Sequence, residues 1–153
     1  MPKFSLQRIL DLRQRKEQAL AIRLAHARTQ AEEARSVVAS IEVQREESEA
    51  QMRTGAASKT TVGSIQNASY VVGRLDDQLA EARQAVHTME AEVQICLTEF
   101  TAALQERQVL DRLKDKRLTA ALLEENKAEQ ATNDAIALSR FFRRDGTVTG
   151  GDE

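Results

Sequence analysis

Past Pro2 the 153-residue chain has no proline, and it has no tryptophan anywhere; aromatic residues make up 3%. Without large side chains a wide globular core is excluded, and without proline nothing forces a long helix to stop. Cys96 is the only cysteine, which excludes an internal disulfide and fits a reducing compartment; its place in an apolar stripe predicts buried packing. No run approaches the roughly 18 apolar residues that cross a bilayer, and no signal-peptide core opens the chain, so a soluble, cytoplasmic protein is expected. His26 and His87 are the two histidines, each alone in its neighbourhood, so no metal site and no cofactor are expected.

What is present is a heptad pattern. Steps of four and three from Leu6 reach Leu10, Arg13, Glu17, Leu20, Leu24, Ala27, Ala31, Ala34, Val38, Ile41, Arg45, Ser48 and Met52, ten of fourteen apolar. A second frame from Ile65 runs through Ala68, Val72, Leu75, Leu79, Ala82, Val86, Met89, Val93, Cys96, Phe100 and Ala103, all apolar. A straight helix drifts about 20° per heptad from such a repeat, so the pattern demands a helical partner wound around it. The nearest partner is the chain's other half. The expected fold is all-α, a long antiparallel two-helix coiled coil (an α-hairpin) with a longer C-terminal helix.

The expected organisation is one hairpin over residues 1–153. Helix one covers about 4–53, with Ser5 as candidate N-cap and Arg8 at the capping-box position. A turn over 54–64, reading TGAASKTTVGS, follows on its two glycines and small polar residues. Helix two covers about 65–143, and 145–153 is a flexible tail. Helices of roughly 50 and 80 residues would extend about 75 and 120 Å, and cannot match. Folding back near Ser58 sets Phe4 beside Arg112 or Leu113 and leaves Lys114 to about Arg144 bare. The frame changes character at the same place: its next steps are Arg107, Leu110, Lys114, Arg117, Ala121 and Glu124, four of six charged. The segment beyond still carries Leu118, Leu122, Leu138, Phe141 and Phe142, a face that awaits another protein.

Charge is segregated although the net value is only −2. Residues 1–28 hold seven Lys or Arg against two acids, and 29–106 hold six against thirteen. Between 107 and 117 five basic residues meet two acids, and folding back brings them beside the basic N-terminus. The open end is therefore cationic and the shaft anionic, a polarity suited to docking on an acidic partner. Nucleic-acid binding is disfavoured by a pI of about 5.8 and few stacking residues. Membrane-surface binding is only partly served by Phe4, Leu6, Ile9, Leu10 and Leu12.

Signals for catalysis are poor, and no enzyme is expected. Gly55 to Thr60 resembles the end of a phosphate-binding loop but lacks the second glycine and the preceding strand. The carboxylate pairs Glu32-Glu33, Glu46-Glu47, Asp76-Asp77 and Glu124-Glu125 are sequence neighbours, which diverge on a helix and read as solvated faces.

The opening FSLQRILDLRQRKEQA, with Phe4, Leu6, Ile9, Leu10, Leu12 and Arg13, resembles the N-terminal signature of the flagellar type III export protein FliJ. The string LDRLKDKRLTAALLEENKAEQ, with Leu110, Leu113, Lys114, Lys116, Arg117, Glu125 and Glu129, is similar to that family's C-terminal region. Ala135, after Asp134, stands where many members carry another acid. The resemblance implies a non-enzymatic cytoplasmic stalk, peripheral to the inner membrane at the flagellar base. Its open end would enter the ring of the export ATPase, a FliI-like hexamer, and promote its assembly or activity. Its shaft would contact the export gate protein, FlhA-like, and members are also linked to escorting export chaperones. Carried onto this chain, Phe4, Leu6, Arg8, Arg13, Arg112, Lys114 and Arg117 form the ATPase-facing end. Val38, Ile41, Arg45, Val71 and Leu75 match the gate-facing shaft. Two alternatives stay open: the equivalent stalk of a virulence-type III secretion injectisome, and a generic homodimeric coiled-coil scaffold.

Overall fold

The computed structural model describes residues 5–57 and 61–146. Two helices account for nearly all of them, α1 (Gln7–Ala57, 51 residues) and α2 (Val62–Gly146, 85 residues), and no strand occurs among the described residues. The helices pack against each other antiparallel, so the chain is an all-α hairpin with a longer C-terminal helix, as the two heptad frames require. The chain divides into two compact units, Arg13–Gln105, and Met1–Leu12 with Glu106–Glu153.

Within Arg13–Gln105 the seam is thin. Leu24, Ala27 and Cys96 form its buried centre, with Val93, Leu97 and Phe100 packed around them. Ala31, Leu75, Leu79 and Ala103 are buried as well. Small alanines at seam positions let two helices close together without the aromatic bulk this chain lacks. Four polar seam positions, Arg13, Glu17, Arg45 and Ser48, are half-buried. Burial raises the Cys96 thiol above its ordinary pKa, and its hydrogen bond to the Glu92 carboxylate, at 3.5 Å, adds to the rise.

Charged pairs bracket this seam. Arg23 donates to Glu99 at 2.8 Å and to Glu92 at 3.1 Å. Arg35 donates to Glu90 at 2.9 and 3.1 Å, Arg83 to Glu42 at 3.2 Å, and Arg45 to Asp76. Partners descend along α2 as positions ascend along α1, the signature of an antiparallel register. All these pairs face water, so each adds little stability; together they disfavour a slip of one helix along the other.

In the other unit Leu10 is 1% exposed. Leu110, Leu113 and Lys114 of α2 are half-buried. Beyond them every residue from 115 to 146 is exposed, Ala121 alone being half-covered.

The helix boundaries differ from the expected ones. The expected turn at 54–64 shrinks, since Thr54 to Ala57 belong to α1 and Val62 to Ser64 to α2; residues 58–60 lie outside the described residues. A glycine inside a helix costs only about 1 kcal/mol relative to alanine, too little for Gly55 to break a helix already paired along its seam. Thr61 caps α2, its hydroxyl accepting from the Ser64 N–H at 3.3 Å and its carbonyl from the Ser64 and Ile65 N–H groups. At the other end α1 begins at Gln7 instead of Phe4, which puts its cap position at Leu6 and not at Ser5. Of the expected tail, Asp145 and Gly146 finish α2, and 147–153 lie outside the described residues.

Moving the turn moves the pairing. Arg117 reaches Ser5, donating to its hydroxyl at 2.8 Å, whereas a pivot at Ser58 would have set Phe4 beside Arg112 or Leu113. The offset is five or six residues, roughly one and a half helical turns. The bare part of α2 starts near Asp115, within a residue of the expected Lys114.

Candidate functional site

Two surfaces carry the candidate residues. The first lies in the unit of Met1–Leu12 and Glu106–Glu153. Leu10 anchors it, and one turn before it the half-buried Leu6 accepts the Leu10 N–H on its carbonyl at 2.9 Å. Arg8 and Arg112 are exposed, Lys114 is half-buried, and Arg117 is exposed while holding Ser5. Arg107 pairs with Asp111 one turn on, which takes that arginine into a local ion pair. Arg13 belongs to the other unit and is half-buried, and Phe4 lies outside the described residues. The arrangement is a cationic patch around an apolar anchor, continuous along α2 with the exposed segment 115–146.

That segment presents Leu122 at 58%, Leu138 at 57% and Phe142 at 68% exposure. Phe141 and Phe142 meet edge to face, ring centroids 6.2 Å apart, near the end of α2. Large exposed apolar side chains at this density make the segment a candidate surface.

The second surface lies in Arg13–Gln105, where α1 ends and α2 begins. Met52, Gly55, Ile65, Ala68 and Val71 line part of an open recess of about 300 Å³. Val71 is 41% exposed, Val38 and Ile41 are half-buried, and Arg45 is held by Asp76 and by Glu49 at 3.1 Å. The hydrogen bond to Asp76, then the nearby carboxylate charges, raise the Arg45 pKa, so its charge is permanent. Leu75 is 8% exposed, so it shapes this surface from beneath. The sequence reading missed the partners of Arg23, Arg35 and Arg83. They sit on the flanks of the stripe, where the pairing depends on a register that the turn position sets.

Among the described residues no three of His, Cys, Asp and Glu gather closely enough to hold a metal ion, and no polar side-chain atom is buried without a partner. Among the described residues no helix is long and apolar enough to cross a membrane.

Long paired helices, charge-bracketed along their seam, define a coiled-coil hairpin. A solved structure from Chlamydia trachomatis, the protein CT670, described as a YscO homologue, has this fold. It aligns with a TM-score of 0.52 over 94% of this chain and 99% of its own, at 18% sequence identity. Among curated proteins no sequence matches. The family model of the flagellar FliJ protein matches residues 2–146, and the chain belongs to that family, which serves flagellar type III protein export.

Proposed function

We propose that the chain is the stalk of a flagellar export ATPase: a non-enzymatic cytoplasmic coiled coil that docks in the ring of a FliI-like hexamer and links it to an FlhA-like export gate. The observation that carries this reading is the cationic patch of Arg8, Arg112 and Arg117 around buried Leu10, continuing into the exposed arm 115–146. A stiff helical pair transmits force or register without chemistry of its own, and a basic, apolar-edged end suits a pore lined by acidic and polar loops. Docking there promotes ring assembly or ATP hydrolysis and helps bring the gate to a state driven by the proton gradient. The gate-facing shaft uses Val38, Ile41, Arg45 and Val71, with Leu75 supporting them from the seam. Escort of export chaperones belongs to the same reading, as does a station at the cytoplasmic face of the inner membrane. The family match favours a flagellar system over an injectisome.

The test is stimulation of the ATPase by a variant in which Arg112, Lys114 and Arg117 are all changed to Glu. It keeps the parent's helicity and melting profile yet loses stimulation. Because Lys114 is half-buried, Arg8→Glu with Arg112→Glu, both exposed, serves as the companion variant. Full stimulation by either well-folded variant would contradict this docking end.

A further inference from the structure

The heptad frame of α2 does not end with the hairpin. From Ile65 it passes through the charged stretch Arg107 to Glu124 and then, without a stutter, lands on Ala128, Ala131, Ala135, Leu138 and Phe142. Five consecutive apolar steps in the frame of a paired seam, on a helix whose residues there are all exposed, specify an absent helical partner. Its chemistry can be read from the stripe and its flanks.

We propose that the partner is a second copy of this chain, the two α2 arms pairing antiparallel through residues 121–138 in a two-fold symmetric contact. Antiparallel seams set each first heptad position against a fourth, and one register satisfies both size and charge. In it Ala121 of one copy faces Leu138 of the other, a small residue receiving a large one, and Ala128 faces Ala131, which brings the backbones close. Glu124 lies over Ala135, whose small side chain leaves room for the carboxylate stem to reach the edge. On the flank next to this stripe Lys127 of one copy meets Asp134 of the other, and symmetry makes the pair twice. A shift by one heptad in either direction loses these matches. In the single chain Lys127 sits 3.6 Å from Glu124, both strongly exposed, an ion pair weak enough to be exchanged. A parallel arrangement sets Lys127 against Thr132 and gives no such pairing. The contact stands independently of the ATPase reading. Where both hold, the dimer masks the arm until the ring displaces it.

The experiment is sedimentation equilibrium of the full chain across the micromolar range, for the parent, Lys127→Asp, Asp134→Lys and the double exchange. The parent shows a concentration-dependent dimer. Each single exchange sets like charges together twice and weakens the dimer about tenfold, and the double exchange restores it. Spin labels at positions 121 and 138 on different molecules lie closer to each other than two labels at 121 do. A parent that stays monomeric overturns the proposal, and so does a dimer that ignores the single exchanges or is not rescued by the double one.

Discussion

The paired part of α2, from about Ala68 to Ala103, and its bare arm from 115 to 146 share one heptad frame, yet one is covered and the other exposed. Their stripes differ in size: Leu75, Leu79, Val93 and Phe100 fill the first, while alanines dominate the second until Leu138 and Phe142. Period alone therefore does not decide burial. The covered region has α1 against it, and α1 runs out at Gln7, while α2 continues for 85 residues in all. An unequal hairpin leaves ordinary coiled-coil sequence exposed, and the basic cluster stands where cover stops.

Replacing a leucine in each region separates them most sharply. Leu24→Ala, at the centre of the covered seam, lowers unfolding free energy by about 3 kcal/mol in urea titrations. Leu138→Ala, on the exposed arm, changes it by less than about 0.5 kcal/mol at a dilution where the chain is monomeric. Equal losses would mean that the arm is packed.

A smaller effect, of opposite sign, comes from Gly73 in the paired part of α2. A Cβ there meets nothing within 4 Å, so Gly73→Ala stabilises the hairpin by about 1 kcal/mol without touching the seam. Thermal unfolding followed by circular dichroism reads it. The least perturbing probe is Cys96. Its thiol is 1% exposed and holds its proton above the ordinary thiol pKa, so iodoacetamide at mildly alkaline pH labels it at least about tenfold more slowly in the folded chain than in urea. A folded-state pKa above the unfolded one also fixes a sign: this thiol's contribution is complete below the ordinary thiol pKa and fades as pH rises through the raised value. Rapid native labelling would show that the seam opens at Cys96.

Much of this contrast is written in the residues. All fourteen positions of the first stripe are buried or half-buried, including Arg13, Glu17, Arg45 and Ser48, and only Ile65 of the second is exposed. Periodicity was legible because burial in a two-helix seam is set by angle around each helix, which sequence spacing determines. The turn was harder to place. Gly55 and Thr54 resemble breakers, but their local cost is small beside continued pairing, and the cap falls on Thr61, which has no distinguishing neighbour in sequence. That displacement carried the register with it, so the Arg117 bond to Ser5 and the Arg23, Arg35 and Arg83 partners could not be read. Of the residues expected on the gate-facing shaft, Leu75 shows the remaining ambiguity: a stripe residue reads equally as seam or as surface until its partner helix is in place.

Amide hydrogen exchange along α2, resolved by peptide and measured at a dilution where the chain is monomeric, tests the unequal hairpin most directly. An unequal hairpin gives strong protection from about Leu75 to Leu113, a step near Lys114, and exchange close to that of an isolated marginal helix from Leu118 to Phe142. Uniform protection along the whole of α2, or rapid exchange throughout it, would contradict it.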